Sequence, residues 1–295
     1  MARWVVDAPQ RLTIDEPVER LNVRLVAGRL NVVATDGPTR IEVVQASRVP
    51  VLIEHRDGQL IVRHERVPKW PGVFWWLGQL GRRFRVDMSI AVPAWAQADL
   101  HLVDGRVIAS GLRASTAVTV TSGQVTLMGI GGRTRAKLVN GPVEALGVKG
   151  DVTLETISGE LVVADSSAGR LHASTVSGAI TCDLDNPRGS DIRLGTTSGS
   201  ITVRVREDGD LSVRLRTTSG QITSGFAELG DGAGPSWSKE STGVIGAGTG
   251  QLSATTISGS IALLARPVGD DEADFEADAG ADAGADAGVD EGEAK

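Results

Sequence analysis

The stretch TTSGSITV, Thr196–Val203, occurs in four further versions. TISGELVV fills Thr156–Val163, TVSGAITC fills Thr175–Cys182, TTSGQITS fills Thr217–Ser224 and TISGSIAL fills Thr256–Leu263. A serine beside a glycine suits a nucleophile, a phosphate cradle or a chain corner. Periodicity chooses among them. The glycines that close this pattern and its variants are Gly105, Gly123, Gly141, Gly159, Gly178, Gly199, Gly220 and Gly259, spaced 18, 18, 18, 19, 21, 21 and 39 residues apart. The last spacing is close to two periods and holds a Gly-rich excursion at 225–250. A nucleophile is needed once, not five times in register, so the Ser-Gly pair reads as a repeated corner. Glycine admits positive φ, which costs an L-residue about 1–2 kcal/mol, and serine can bond nearby backbone groups in a turn.

Between the corners the residues alternate. Val125 and Leu127 follow Gly123, and Ile201, Val203 and Val205 follow Gly199. A second glycine falls inside each period, at Gly132, Gly150, Gly169, Gly189, Gly209 and Gly250. Period-two alternation marks strands with one buried face. Each repeat therefore holds two short strands and two corners. Such a unit cannot bury its apolar face alone; stacked coils can, with about 4.8 Å between paired strands. The expected fold is all-β: a single-chain β-solenoid of two-strand coils, about 18–21 residues each. Thr156, Thr175, Thr196, Thr217 and Thr256 would form one column, hydroxyl to hydroxyl.

The flanks are less regular. Residues 1–66 read as a partly antiparallel N-terminal region capping the solenoid, with strands near Leu21–Leu25, Arg29–Val33, Arg40–Val44, Val51–His55 and Gln59–Arg63. A Trp-rich insertion follows at 67–88, the repeats at 89–266, and an acidic tail at 267–295 that has too little apolar surface to fold. From Gly269 to Lys295 there are 11 acids and one lysine, leaving 26 acids and 29 bases in the remainder. The body is thus nearly neutral and has no long basic run, so nucleic acid is not an expected partner. Cys182 is the single cysteine and cannot form an internal disulfide. The start has no secretory pattern and no stretch approaches 18 apolar residues, which makes the cytoplasm the expected location.

The candidate contact residues lie where the repeat fails. VPKWPGVFWWLGQLGRRF, Val67–Phe84, carries Trp70, Phe74, Trp75, Trp76 and Phe84 beside Arg82 and Arg83. Apolar, Trp-bearing sequence with basic flanks suits a membrane interface, a protein contact or a lid folded over the solenoid. Trp237, in the Gly-rich excursion, is either an anchor or a contact. The glycines Gly123, Gly141, Gly159, Gly178, Gly199, Gly220 and Gly259 are assigned as structural turns. The histidines show no HExxH or His-x-His pattern, and neither a phosphate loop nor a GxSxG elbow occurs. No catalytic residue, metal site or cofactor is expected. A carbohydrate-active enzyme on a solenoid face would need clustered carboxylates, whereas Asp183, Asp185, Glu207, Asp208 and Asp210 fall near corners without a clear cluster.

SIAVPAWAQADLHLVDGRV, Ser89–Val107, and the Ser-Gly-x-[Ile/Val/Leu] series after it resemble the bacterial β-strand-repeat family labelled "putative adhesin", also described as toast-rack domains. The resemblance covers roughly residues 18–265 and rests on structural glycines and alternating apolars. It implies the fold, carries over no catalytic residues, and points to membrane-stress systems of the phage-shock and Lia type. The expected function is a non-enzymatic interaction or scaffold module with an unidentified protein partner or a peripheral membrane contact. A filament-like polymer, stacked end to end, is the alternative. It would use the strand edge expected to lie open after Leu264, with the acidic tail limiting growth there.

Overall fold

The structure, a computed structural model, describes residues 2–46, 48–64, 84–185, 187–229 and 238–267. All regular structure among them is strand. Alternating inward Val, Ile and Leu produce this directly: β9 (Thr116–Met128 below) buries Val118, Val120, Val125 and Leu127 and turns the residues between them outward.

In chain order, the first six strands are β1 (Ala2–Val6), β2 (Gln10–Ile14), β3 (Arg20–Thr35), β4 (Thr39–Gln45), β5 (Val51–Arg56) and β6 (Gln59–His64). The middle ones are β7 (Arg85–Pro93), β8 (Gln97–Ser110), β9 (Thr116–Met128), β10 (Arg133–Asn140), β11 (Val143–Leu146), β12 (Lys149–Ser158) and β13 (Leu161–Ser177). The last are β14 (Ile180–Leu184), β15 (Asp191–Ser198), β16 (Ile201–Arg206), β17 (Leu211–Ser219), β18 (Ile222–Ser224), β19 (Lys239–Ile245), β20 (Gly250–Ser258) and β21 (Ile261–Arg266).

Each coil has a first arm, a glycine corner and a second arm, and a return corner leads to the next coil. In β3, β8 and β9 the strand runs unbroken through the glycine corner, so the corner is a bend within a strand. First arms pair in parallel in the order β3, β8, β9, β10, β12, β13, β15, β20, β17. Second arms follow the same order and end in β14, β16, β21, β18. Inward residues of both arms form one core, which Leu112, Ile130 and Val148, all fully buried, close at the return corner.

Both ends are antiparallel. At the N-terminal end, β6, β5 and β1 extend the first arm and β7, β4 and β2 extend the second. Strands β1 and β2 have no counterpart in the sequence expectation; only Val6 and Ile14 among their residues are buried, which leaves little alternation to read. Residues 85–88 belong to β7 rather than to the insertion, because β7 must pair with both β3 and β4. At the other end the Gly-rich excursion contains β19, antiparallel to β17, while Phe226 and Leu229 are buried against the core.

The order of the last coils overturns one expectation. Strands β20 and β21 do not end the stack: β20 lies between β15 and β17, and β21 between β16 and β18. The coil that holds Leu264 is therefore interior: β21 pairs with β16 along its whole length and with β18 through Leu263. The acidic tail leaves from an interior coil, and its proposed role at an open edge loses its premise.

Candidate interaction surface

The Ser-Gly corner is built on close backbone approach. Gly28, Gly105, Gly123, Gly141, Gly159, Gly178, Gly199, Gly259 and Gly220 stack in that order. From Gly105 onward, a Cβ on each would lie 1.7–2.0 Å from the carbonyl oxygen of the preceding glycine in the column. At Gly123 and Gly141 φ is also +144° and +128°, a region side chains avoid. Gly220 keeps the approach without a positive φ. The ladder continues through the bend, with Gly141 N–H donating to Ser158 C=O at 2.8 Å and Gly199 N–H to Ser258 C=O at 3.0 Å.

The threonines do form a buried column, in the order Thr156, Thr175, Thr196, Thr256, Thr217. Their hydroxyls do not bond each other. Thr175, Thr196, Thr256 and Thr217 donate instead to the carbonyls of Gly159, Gly178, Gly199 and Gly259, at 3.4, 3.3, 3.2 and 2.9 Å.

One residue further along, the side chains face outward. Val139, Ile157, Val176 and Ile257 are each about half exposed. With Thr121, Thr197 and Thr218 they form one outward column, flanked by exposed serines such as Ser158, Ser177, Ser198 and Ser258. Sequence alternation hinted at this stripe, because the middle residue of Thr-x-Ser-Gly is itself β-branched in most copies.

Trp70, Phe74, Trp75, Trp76, Arg82, Arg83 and Trp237 lie outside the described residues, as does the tail from residue 268. Phe84 is described, and its assignment as a contact residue is corrected. Its ring is 5% exposed and meets His64 edge to face, with centroids 5.2 Å apart. It is buried beside His64 at the start of β7 rather than presented outward. His64 is buried too, and among the described residues neither ring nitrogen has a hydrogen-bond partner of normal geometry. Burial lowers its pKa to about 4, against a smaller opposing pull from the Phe84 backbone. The Cys182 thiol is buried, and burial together with the charge of Asp183 raises its pKa to about 12. That removes the thiolate needed for nucleophilic or redox chemistry at neutral pH.

The corner acids are less scattered than their sequence suggests. Asp183 pairs with Arg204, and the nearly buried Arg266 reaches both Asp183, at 3.6 Å, and Asp185, at 2.8 Å. Asp210 pairs with Arg188 at 2.9 Å and Asp208 with Arg206 at 2.9 Å. Apart from Asp208, whose arginine lies two residues away in its own coil, these carboxylates are tied to arginines of other coils, which suits stacking rather than acid–base work. Among the described residues no three His, Cys, Asp or Glu side chains gather as a metal site. No helix there is long and apolar enough to cross a membrane, which says nothing of strands.

Two shallow grooves mark the first-arm face. One, of about 460 Å³, lies among Asp191, Arg193, Arg214 and Thr242. The other, of about 480 Å³, lies among Arg20, Asn22, Asp99, Ala117, Arg133 and Arg135.

A family model described as Toastrack DUF4097 matches residues 24–264. Among solved structures, a "putative adhesin" from Bacteroides fragilis is 12% identical over 88% of this chain and 98% of its own, with a TM-score of 0.37. A "putative cell adhesion protein" from Clostridium sporogenes is 9% identical over 88% of this chain and 100% of its own, with a TM-score of 0.27. A "putative adhesin" from Parabacteroides distasonis is 11% identical over 87% and 96%, with a TM-score of 0.25. No curated protein matches the sequence.

Proposed function

The chain belongs to the Toastrack DUF4097 family, and from that membership we propose that it is a non-enzymatic β-solenoid scaffold that binds a protein partner, in bacterial envelope-stress signalling. The observation that carries this reading is the outward column of Val139, Ile157, Val176 and Ile257. A rigid stack holds Val139, Ile157 and Val176 in successive coils at a pitch of about 4.8 Å, with Ile257 two coils beyond Val176, so a partner can be recognised without ordering the scaffold. Preorganisation of this kind lowers the cost of binding. The basic, Trp-bearing insertion at 67–83 adds a second contact element to the proposal, with a protein or a membrane surface as its counterpart.

Polymerisation through the ends is the weaker reading. Strand β19 covers β17 at one end, and the antiparallel strands to β1 and β2 occupy the other.

The test is affinity capture of cellular partners with the wild-type chain and with Ile157→Asp/Val176→Asp. Both side chains are already exposed, so the variant should fold with unchanged circular dichroism. The captured partner should fall at least tenfold, and an envelope-stress reporter should lose its dependence on the protein. Equal capture by both proteins would remove the corner stripe from the reading.

A further inference from the structure

The two grooves differ in one respect. In the groove near the C-terminal end, Arg193 is bidentate to Asp191, at 3.1 and 2.9 Å, and Arg214 faces Glu240 at 3.5 Å. In the other groove, Arg20, Arg133 and Arg135 have no carboxylate within ion-pair distance among the described residues, and all three are exposed. Asp99 on the groove floor is held by His101 at 3.0 Å and Asn22 at 3.3 Å.

Register sets the shape. Arg20 pairs with Gln97, and the neighbouring registers Ala98↔Thr116 and Thr134↔Thr116 place Ser115 and Arg133 in the same row. Arg20 and Arg133 are therefore three coils apart, about 14 Å, with small residues such as Ala117 between them. Arg113 and Lys149, also exposed and without an ion-pair partner among the described residues, extend this basic region along the return corner. Rows of guanidinium groups over a low floor suit carboxylates, which they can bind in bidentate fashion.

We propose that this groove is a binding site for a carboxylate-rich peptide, and that its occupant is the C-terminal segment of this chain, residues 268–295. Three observations support that occupant. The charges are complementary: 11 acids and one lysine lie between Gly269 and Lys295, against an excess of three bases in the remainder. The exit point fits: β21 ends at Arg266, at the same return corner from which β3, β8, β9 and β10 start. The reach suffices: Arg133 lies four coils from the last coil, about 19 Å, and Arg20 seven, about 34 Å. The twelve residues from Pro267 to Asp278, eleven Cα steps, can extend about 36 Å. Tethering provides an effective concentration on the order of millimolar, so weak ion pairs suffice for occupancy. This inference does not depend on the corner stripe.

Zero-length carbodiimide coupling in the full chain tests it, because the reagent joins a lysine amine to a carboxylate only in contact. Peptide mapping by mass spectrometry should find carboxylates of residues 270–293 joined to Lys149. In single variants R133K and R135K they should also be joined to position 133 or 135, each at least tenfold above Lys239 at the far end. The yield should not change on dilution, should fall in high salt, and should drop at least tenfold in R20E/R133E/R135E. Equal coupling at Lys149 and Lys239, or no loss in the triple variant, would overturn the proposal. So would coupling that falls with dilution. A chain that couples without preference but binds dextran sulfate through Arg133 and Arg135 would assign the groove to an external polyanion instead.

Discussion

At Gly141 two independent constraints meet. Its φ is +128°, and a Cβ would lie 1.7 Å from the Gly123 carbonyl oxygen. Backbone strain contributes about 1–2 kcal/mol and forced overpacking about 1–3 kcal/mol more. Gly141→Ala should therefore lower unfolding stability by about 3 kcal/mol. Gly129 isolates the first effect, since its φ is +59° and nothing stands within 4 Å of a Cβ. Gly129→Ala should cost only about 1 kcal/mol. Urea denaturation of both variants checks the difference, and equal losses would mean that stacking contributes nothing at the corner. Sequence spacing located this column well, because a steric requirement repeated in every coil leaves a repeated residue. It misplaced the threonine hydroxyls, because the spacing of equivalent residues says nothing about the direction of an O–H bond.

Elements at the N-terminal end follow a different logic. Strands β1, β2, β4 and β5 each pair antiparallel with their neighbours. A terminal strand has one partner and a partly wetted face, so its sequence carries weaker alternation. That is why β1 and β2 were not legible while β12 and β15 were. The same end holds His64, on the last strand before the insertion, with its ring against Phe84 on the strand side beyond it. His64 therefore ties the two ends of the insertion together in its neutral form. Its folded pKa, about 4, lies below the ordinary 6.5. The unfolded chain takes up the proton first as pH falls, so stability is lost between pH 6.5 and about 4 and levels off below that. The loss attributable to this group is at most about 3 kcal/mol. His64→Leu should flatten that part of the stability curve in urea titrations at stepped pH. A variant with the wild-type slope would show that this pH dependence comes from groups other than His64.

Over the whole molecule, chain order and stacking order part company at one place. Coil 211–224 pairs with β19 and with the coil 250–266, and it meets β15 and β16 only through that last coil. Neither can complete the stack alone. Periodicity could not reveal this, because equivalent corners have the same sequence wherever they sit along the axis; the 39-residue spacing was its only trace. In a solenoid, stability is a sum of coil and nearest-neighbour terms, so an inserted coil carries two interfaces and the coil beyond it depends on both. Ala254, fully buried in β20, is the place to test this. Ala254→Asp puts a charge into the core at the inserted coil, a cost that the coil meets by opening. Hydrogen exchange should then lose protection in 250–266 and, with it, in 211–219 and 239–245. Strands β8, β9 and β10 share no interface with these residues and should keep theirs. Loss confined to 250–266 would mean that β17 and β19 hold as an independent hairpin. Loss reaching β8 would mean that the stack opens as one cooperative body rather than coil by coil.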